Sequence, residues 1–253
     1  MRAFLKKEWM EWVRTGRFFL VLLIFALFGI MNPAIAKLTP WMMEALSDSL
    51  AKTGIVTAEV TVDAFTSWTQ FYKNIPMGAI VFVLLGSGIF PQEYQKGTLI
   101  PVVTRGLSRK KIAAAKSLML LFIWTLSYLL CFGITYGYNA YFWDNGIAKS
   151  LFFAGFACWL FGIWLVALLV FFSAVSANSP QALLGAGGIV AACYLLGMIP
   201  RVSRYLPTKL LEGMPLLQGI SEPGDYSACL AAALGMSLVC LGLAAVCFER
   251  RRL

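Results

Sequence analysis

Residues 90–116 read FPQEYQKGTLIPVVTRGLSRKKIAAAK and form the most densely charged connection of the chain. This stretch carries six Lys or Arg residues and one Glu, although 60% of the chain is hydrophobic and only 13% is charged. A soluble domain is closer to roughly a quarter charged. Long apolar runs lie on both sides of the stretch, which indicates that it connects two membrane-spanning segments.

Six apolar runs are long enough to cross a hydrocarbon core about 30 Å thick, which needs roughly 20 residues of helix. None of them contains Asp, Glu, Lys, Arg or His. We therefore predict an all-α, polytopic membrane protein with one transmembrane domain over residues 1–253. Pro33 is expected to end the first span, and Pro76 to lie in the first turn of the second. The runs cover approximately residues 18–36, 75–90, 117–138, 151–175, 182–199 and 229–248.

Charge in the connections predicts the orientation of the spans. With a cytoplasmic N-terminus, the inner connections hold 14 Lys or Arg and 4 acidic residues, whereas the outer ones hold 7 and 8. Both termini are therefore expected in the cytoplasm. The same distribution accounts for the net charge of +9 without nucleic acid as a partner.

Residues 1–17 are predicted to form an amphipathic helix ahead of the first span. Leu5, Trp9 and Trp12 follow helical spacing among basic residues. An apolar stripe with two tryptophans is typical of an interfacial helix on the surface of the inner leaflet. The alternative is an ordinary positively charged flank of the first span.

Two further features concern the outer half of the protein. Residues 200–228 contain four prolines and several leucines, which predicts an external broken segment of short helices. An outer gate and a cap without function are both open interpretations of this segment. Some aromatic residues of the third and fourth spans are candidates for lining a cargo pathway, with packing in the bundle as the alternative: Trp124, Tyr128, Phe132, Phe156 and Trp159.

The chain shows no energy source of its own. Ion-coupled carriers usually place ionisable residues within their spans, and these spans have none, although sodium sites built from neutral oxygens stay open. Paired intramembrane carboxylates, HExxH and the GxxxxGK[ST] loop are absent as well. We therefore predict that the chain is not an enzyme and holds no cofactor. If ATP drives it, a separate subunit must bind the nucleotide.

The connection between spans two and three also resembles a known family. Glu93 follows the second span, then come the pair Gly97-Thr98, a bend at Pro101, and a basic helix that Ser108 is suited to cap. Together with the N-terminal helix, the six spans and the broken external segment, this order resembles the type-2 ATP-binding-cassette (ABC-2) permeases. The resemblance covers essentially the whole chain.

The resemblance implies a function and a set of partners. The chain would be the permease subunit of an ATP-driven exporter in the cytoplasmic membrane, working by alternating access. It would pair with a second permease copy in a homodimer and with two copies of an ABC ATPase subunit that bind ATP and Mg²⁺. Residues 91–116 would include the cytoplasmic coupling helix, braced by the N-terminal helix. The residues assigned to ATPase coupling are Glu93, Gly97, Thr98, Leu99, Val102, Val103, Arg105, Ser108, Arg109 and Lys110.

The expected cargo follows from the same resemblance and from the uncharged spans. The chain is similar in size to permeases that export antimicrobial peptides or phenol-soluble modulins. A pathway without ionisable residues suits an amphipathic or hydrophobic cargo, such as a peptide, better than a small ion. Two other classes of function stay open: a non-transporting membrane anchor or sensor partner, and an ion-coupled carrier.

Overall fold

The computed structural model describes residues 2–51, 62–99, 101, 104 and 108–250. Among these residues, six helices are long and apolar enough to cross a membrane. The all-α, multi-pass prediction is therefore confirmed, with α2, α3, α5, α6, α7 and α10 as the spans. The described α-helices are, in chain order, α1 (Arg2–Arg14), α2 (Arg17–Ala51), α3 (Ala64–Gly86), α4 (Pro91–Lys96), α5 (Arg109–Phe142), α6 (Leu151–Val175), α7 (Ser179–Gly197), α8 (Pro200–Ser203), α9 (Met214–Leu217) and α10 (Ser227–Arg250).

Helix α6 forms the centre of the bundle. Most of its residues are buried, because α3, α5, α7 and α10 pack around it. Gly162 allows Trp124 of α5 to approach the α6 backbone, since a Cβ at this position would lie 1.9 Å from the indole. Trp124 also donates its Nε1–H to the carbonyl oxygen of Trp159, 3.2 Å away. This close contact fixes the position of α5 against α6.

Helices α2 and α3 extend beyond the predicted spans, and both proline predictions are wrong. Helix α2 continues through Pro33 for more than four further turns, so this proline does not end the first span. Helix α3 begins at Ala64, where Asp63 accepts a hydrogen bond from the backbone N–H of Thr66, so Pro76 lies in the helix interior. Proline is tolerated inside membrane helices because neighbouring helices and polar side chains satisfy the freed backbone groups.

A buried polar bridge joins α2, α3 and α5 beside the first of these prolines. Asn32 donates from Nδ2 to Thr135 Oγ1 at 3.0 Å and accepts from Asn74 Nδ2 at 2.7 Å. Thr135 donates in turn to the carbonyl oxygen of Gly29 at 3.2 Å. Interhelical hydrogen bonds in membranes contribute on average only about 0.6 kcal/mol each. The bridge therefore sets the relative register of the three helices more than it stabilises them.

The broken segment predicted to be external, residues 200–228, is folded onto the bundle. It consists of α8, α9 and two 3₁₀ turns, Pro207–Leu211 and Pro223–Tyr226. Leu210, Leu216 and Leu217 are fully buried, because the segment packs against α3, α6 and α10. The predicted short helices are therefore confirmed, and their irregular backbone lies against protein.

Candidate functional site

Helix α1 packs against the bundle through one face. Phe4, Glu8 and Trp12, spaced by four residues, are buried on that face, whereas Leu5 and Trp9 are half-buried beside it. The predicted interfacial stripe is therefore partly a packing surface, since Trp12 is only 4% exposed. A carboxylate on such a face requires a partner, because burying an unpaired charge is strongly unfavourable.

The partner of Glu8 is Lys116, a buried residue two turns into α5. Lys116 Nζ lies 2.9 Å from Glu8 Oε2 and 3.0 Å from Glu93 Oε2, and its side chain is 2% exposed. The contact with Glu8 is also a hydrogen bond, whereas the contact with Glu93 is an ion pair without hydrogen-bond alignment. Lys7 Nζ contacts Glu8 at 3.0 Å and Glu11 at 3.1 Å, and donates a hydrogen bond to Glu93 Oε1. We call these five side chains the charge cluster; it joins α1, α4 and α5.

The charge cluster is internally paired. Its two ammonium groups contact all three carboxylates. The rings of Phe4 and Phe90 lie over Lys116, with their centroids 5.9 and 5.8 Å from Nζ, a range in which a cation is attracted to an aromatic face. The carboxylates are close enough together to hold a metal ion, within 4.8 Å of one another, but their oxygens are already paired with the lysines.

Two members of the charge cluster show how strongly the arrangement favours its charged form. Burial lowers the pKa of Lys7, but the hydrogen bond to Glu93 and the charges of Glu8 and Glu93 outweigh it, so the pKa is raised well above its usual value. Burial raises the pKa of Glu11, but the hydrogen bond and charge of Lys7 outweigh it, so this pKa is lowered. Both groups are therefore charged at neutral pH.

Helix α4 connects the charge cluster to three further helices. Arg17, at the start of α2, donates from Nη2 to Gln92 Oε1 at 3.0 Å. The hydroxyl of Tyr94 donates to the carbonyl oxygen of Ala174, at the end of α6, at 3.2 Å. Phe248 of α10 packs against Tyr94, with ring centroids 6.1 Å apart. Since Glu93 also belongs to α4, this one-and-a-half-turn helix contacts α1, α2, α5, α6 and α10.

The predicted Gly-Thr turn ends α4. Gly97 has φ +63°, in the left-handed region where residues with a Cβ are strained. Its N–H donates to the carbonyl oxygen of Tyr94, and the N–H of Thr98 donates to that of Glu93 at 3.2 Å. Leu99 follows and is buried. The chain therefore changes direction within one turn after Glu93.

On the far side of the connection, α5 begins at Arg109 as predicted, and Ser108 occupies the N-cap position. The Ser108 side chain makes no capping hydrogen bond, so that part of the prediction is wrong. Arg109 donates to the carbonyl oxygen of Glu249, in the last turn of α10, at 3.0 Å, and Lys110 forms an exposed ion pair with the Glu249 carboxylate at 3.2 Å. The predicted coupling residues that lie outside the described residues are Val102, Val103 and Arg105.

Lys7, Glu8 and Lys116 are not among the individual residues predicted for ATPase coupling, although the sequence carries a signal for them. Glu8 stands four residues after Phe4 and four before Trp12, which puts a carboxylate in the middle of an apolar helix face. Lys116 directly precedes a long uncharged run, where a charge is costly unless it is paired. The pairing itself was not predictable, because the two partners are 108 residues apart in the chain.

The five aromatic residues proposed to line a pathway have different environments. Trp124 and Tyr128 are 0% and 2% exposed, and the hydroxyl of Tyr128 donates to a backbone carbonyl of α6 at 2.7 Å. Phe132, Phe156 and Trp159, together with Tyr128, line a groove of about 430 Å³ between α5 and α6. Trp124 is thus a core residue of this chain, and the other four lie along the α5–α6 groove.

A second groove, of about 390 Å³, lies between α3 and α7 on the surface of α6. Its walls are almost entirely apolar and include Val83 of α3, Phe161 of α6 and Val190 of α7. Helix α7 buries few of its side chains. This α3–α7 groove therefore offers an uncovered apolar surface to a hydrophobic molecule or to another protein chain.

Comparison with known families places these features in a transporter. A family model described as ABC-2 family transporter protein matches residues 2–253. The chain belongs to this family. No curated protein matches it. As an ABC-2 family member, the chain is a membrane permease subunit of an ABC transporter, and its family pairs with an ABC ATPase subunit.

Within this ABC-2 permease, the charge cluster marks one end of the bundle. It lies where the second span ends and the third begins, next to the connection that the sequence resemblance assigned to ATPase coupling. Within that connection, the charge cluster holds α4, and a hydrogen bond to the last turn of α10 holds the start of α5.

Proposed function

We propose that this permease receives movement from an ABC ATPase through residues 91–116 and transmits it through α4 and the charge cluster. The observation that carries the proposal is the set of contacts made by α4. Glu93 links it to α1 and α5 through Lys7 and Lys116, and Tyr94 links it to the end of α6. A displacement of the connection therefore acts on several helices together.

The buried ion pairs suit this role because they are specific rather than strongly stabilising. Desolvation offsets most of the Coulomb attraction of a buried pair, but removing one partner costs about 3–5 kcal/mol, since the other charge is left buried alone. Helices α1, α4 and α5 consequently resist separation. They are expected to move as one unit when ATP binding favours one arrangement of the ATPase over another.

In the proposed complex, two permease copies in the cytoplasmic membrane pair with two ATPase subunits. The ATPase subunits bind ATP and Mg²⁺, and this chain performs no chemistry. The two copies meet around their α3–α7 grooves and enclose an apolar pathway between them. An amphipathic or hydrophobic cargo, such as a peptide, passes outward along this pathway by alternating access. The apolar lining of the groove and the absence of ionisable residues from the predicted spans support such a cargo.

The test uses the full-length permease reconstituted in vesicles with its ABC ATPase. Amphipathic peptides should stimulate ATP hydrolysis, and Glu93→Gln should lower this stimulation severalfold while the protein still assembles with the ATPase. Glu212→Gln, which removes an equivalent charge from the external segment, serves as the matched control. If Glu93→Gln leaves stimulation intact, the coupling role of α4 is wrong. A non-transporting anchor would show no peptide response, and an ion-coupled carrier would transport without the ATPase.

A further inference from the structure

We propose that the seam between α5 and α6 is a lipid-binding site for an outer-leaflet phospholipid with an ammonium group in its headgroup. Two cavities follow each other along this seam. The first, about 430 Å³, extends from Thr125 to Phe132 and Phe152. The second, about 490 Å³, continues from Phe152 and Tyr136 to Asp144. Phe152 lines both cavities, with its ring centroid 6.5 Å from that of Phe132 and 5.8 Å from that of Tyr136, so the two adjoin along the seam, and we call them together the lipid groove.

The length of this lipid groove matches one leaflet. From Thr125 to Ala140, the outermost residue of α5 that lines the groove, the helix rises about 23 Å at about 1.5 Å per residue. One leaflet with its headgroup region is roughly 20 Å thick, and a tilted helix brings the two lengths closer. On the orientation predicted from the charge distribution, this leaflet is the outer one. A single lipid standing upright can therefore occupy the groove from end to end.

The end of the groove near the membrane centre is suited to a hydrocarbon chain. Its polar side chains already have partners within the protein: Trp159 Nε1 donates to Thr125 Oγ1 at 3.1 Å, and the hydroxyl of Tyr128 donates to the carbonyl oxygen of Gly155. The remaining surface is apolar and includes Phe156. This end can gain free energy only by contact with another apolar group.

The outer end of the groove carries the recognition chemistry. Asp144 is exposed there, and its Oδ1 accepts a hydrogen bond from the N–H of Gly146 at 2.8 Å. Within the described ranges, no Lys or Arg forms an ion pair with this carboxylate. The rings of Tyr136 and Trp143 line the same cavity. A carboxylate among aromatic faces attracts an ammonium group and repels an anionic headgroup.

A lipid is the occupant that best fits both ends of the groove. The seam opens sideways, with the side chain of Phe152 70% exposed, so the surrounding bilayer supplies chains to it directly. Asp144 then decides which headgroup is retained. Zwitterionic lipids such as phosphatidylethanolamine present the required ammonium, whereas phosphatidylglycerol does not.

The experiment is native mass spectrometry of the full-length protein incubated with phosphatidylethanolamine or phosphatidylglycerol. The wild-type protein should retain phosphatidylethanolamine about threefold to tenfold better than phosphatidylglycerol. This ratio corresponds to the combined free energy of an exposed cation–π contact and an exposed ion pair. Asp144→Asn should abolish this preference and Asp144→Glu should keep it. Glu212→Gln, with the same charge change elsewhere on the predicted outer side, should also keep it.

A second pair of variants tests the chain-binding end. Phe156→Ala should lower retention of both lipids, whereas Leu234→Ala on α10, at a site with the same 48% exposure, should not. Equal retention of the two lipids by the wild-type protein, or an unchanged preference in Asp144→Asn, would overturn the proposal. A photocrosslinker at Leu129 should react with lipid. If it instead captures a second permease copy or an added amphipathic peptide, the seam is a protein or cargo interface and the proposal fails.

Discussion

Lys116 is the buried lysine of the charge cluster. Replacing it should weaken the attachment of α1 and α4 to the first turns of α5. Lys116→Met keeps the length and apolar stem of the side chain but removes its charge. In the native protein, two ammonium groups contact three carboxylates. In the variant, Lys7 alone must balance them, although Glu8 and Glu93 remain almost completely buried.

The expected loss in free energy of unfolding follows from the distances between Lys116 and the carboxylates. At an effective dielectric constant of about 20, unit charges 2.9 Å apart, the separation of Lys116 Nζ and Glu8 Oε2, attract each other by roughly 6 kcal/mol. Desolvation of the ions offsets most of this attraction. The net loss is the penalty of leaving carboxylates buried without their partner, about 3–5 kcal/mol. Lys116→Met combined with Glu8→Gln should recover part of it, because one of the unpaired charges is removed.

The assay is thermal unfolding of the full-length protein in nanodiscs, with hydrogen exchange of residues 2–14 measured on the same samples. Lys116→Met should lower the unfolding temperature and increase exchange in α1. Lys110→Met is the matched control: it is the same substitution on the same helix, but its ion pair with Glu249 is exposed and worth less than about 1 kcal/mol. Equal effects of the two substitutions, or no recovery in the double variant, would refute the assignment of Lys116 as a buried ionic partner.

Two further predictions concern packing and pH. Gly162→Ala should destabilise the protein by about 1–3 kcal/mol or more in thermal unfolding, because the new Cβ would meet Trp124 at 1.9 Å; Gly133→Ala, where a Cβ meets nothing within 4 Å, should have little effect. Because the pKa of Lys7 is raised in the folded protein, its charge stabilises the fold fully at any pH below 10.5, the pKa of Lys7 in the unfolded chain. This stabilisation is lost as the pH rises further. Because the pKa of Glu11 is lowered in the folded protein, its charge stabilises the fold at any pH above 4.5, the pKa of Glu11 in the unfolded chain, and this stabilisation is lost as the pH falls further. The advantage of wild type over Lys7→Met in unfolding temperature should therefore be constant near neutral pH and shrink at both extremes; an advantage that peaks at either extreme would contradict this assignment.

Much of the candidate site was predictable because it depends on local sequence. Glycine is favoured where the chain must turn with positive φ, and Gly97 adopts that conformation at the end of α4. The start of α5 at Arg109 follows from the polar residue before a helical run. The environment of Trp124 was not predictable, because an aromatic residue in a span is equally compatible with a groove, a lipid contact and the core. Gly162, on another helix, decides that it lies in the core.

The sequence by itself determined that this chain is a multi-pass α-helical protein. Uncharged runs of about 20 residues must form helices in a bilayer, because lipid offers no hydrogen-bond partners to the backbone. Helical periodicity also put Leu5, Trp9 and Trp12 on one side of the helix in residues 1–17. Only the tertiary structure decided that the buried face is the adjacent one with Phe4, Glu8 and Trp12, and what that face contacts. Glu8 and Lys116 are 108 residues apart, and a charge in a sequence does not specify its partner, because Coulomb attraction depends on distances that helix packing alone determines.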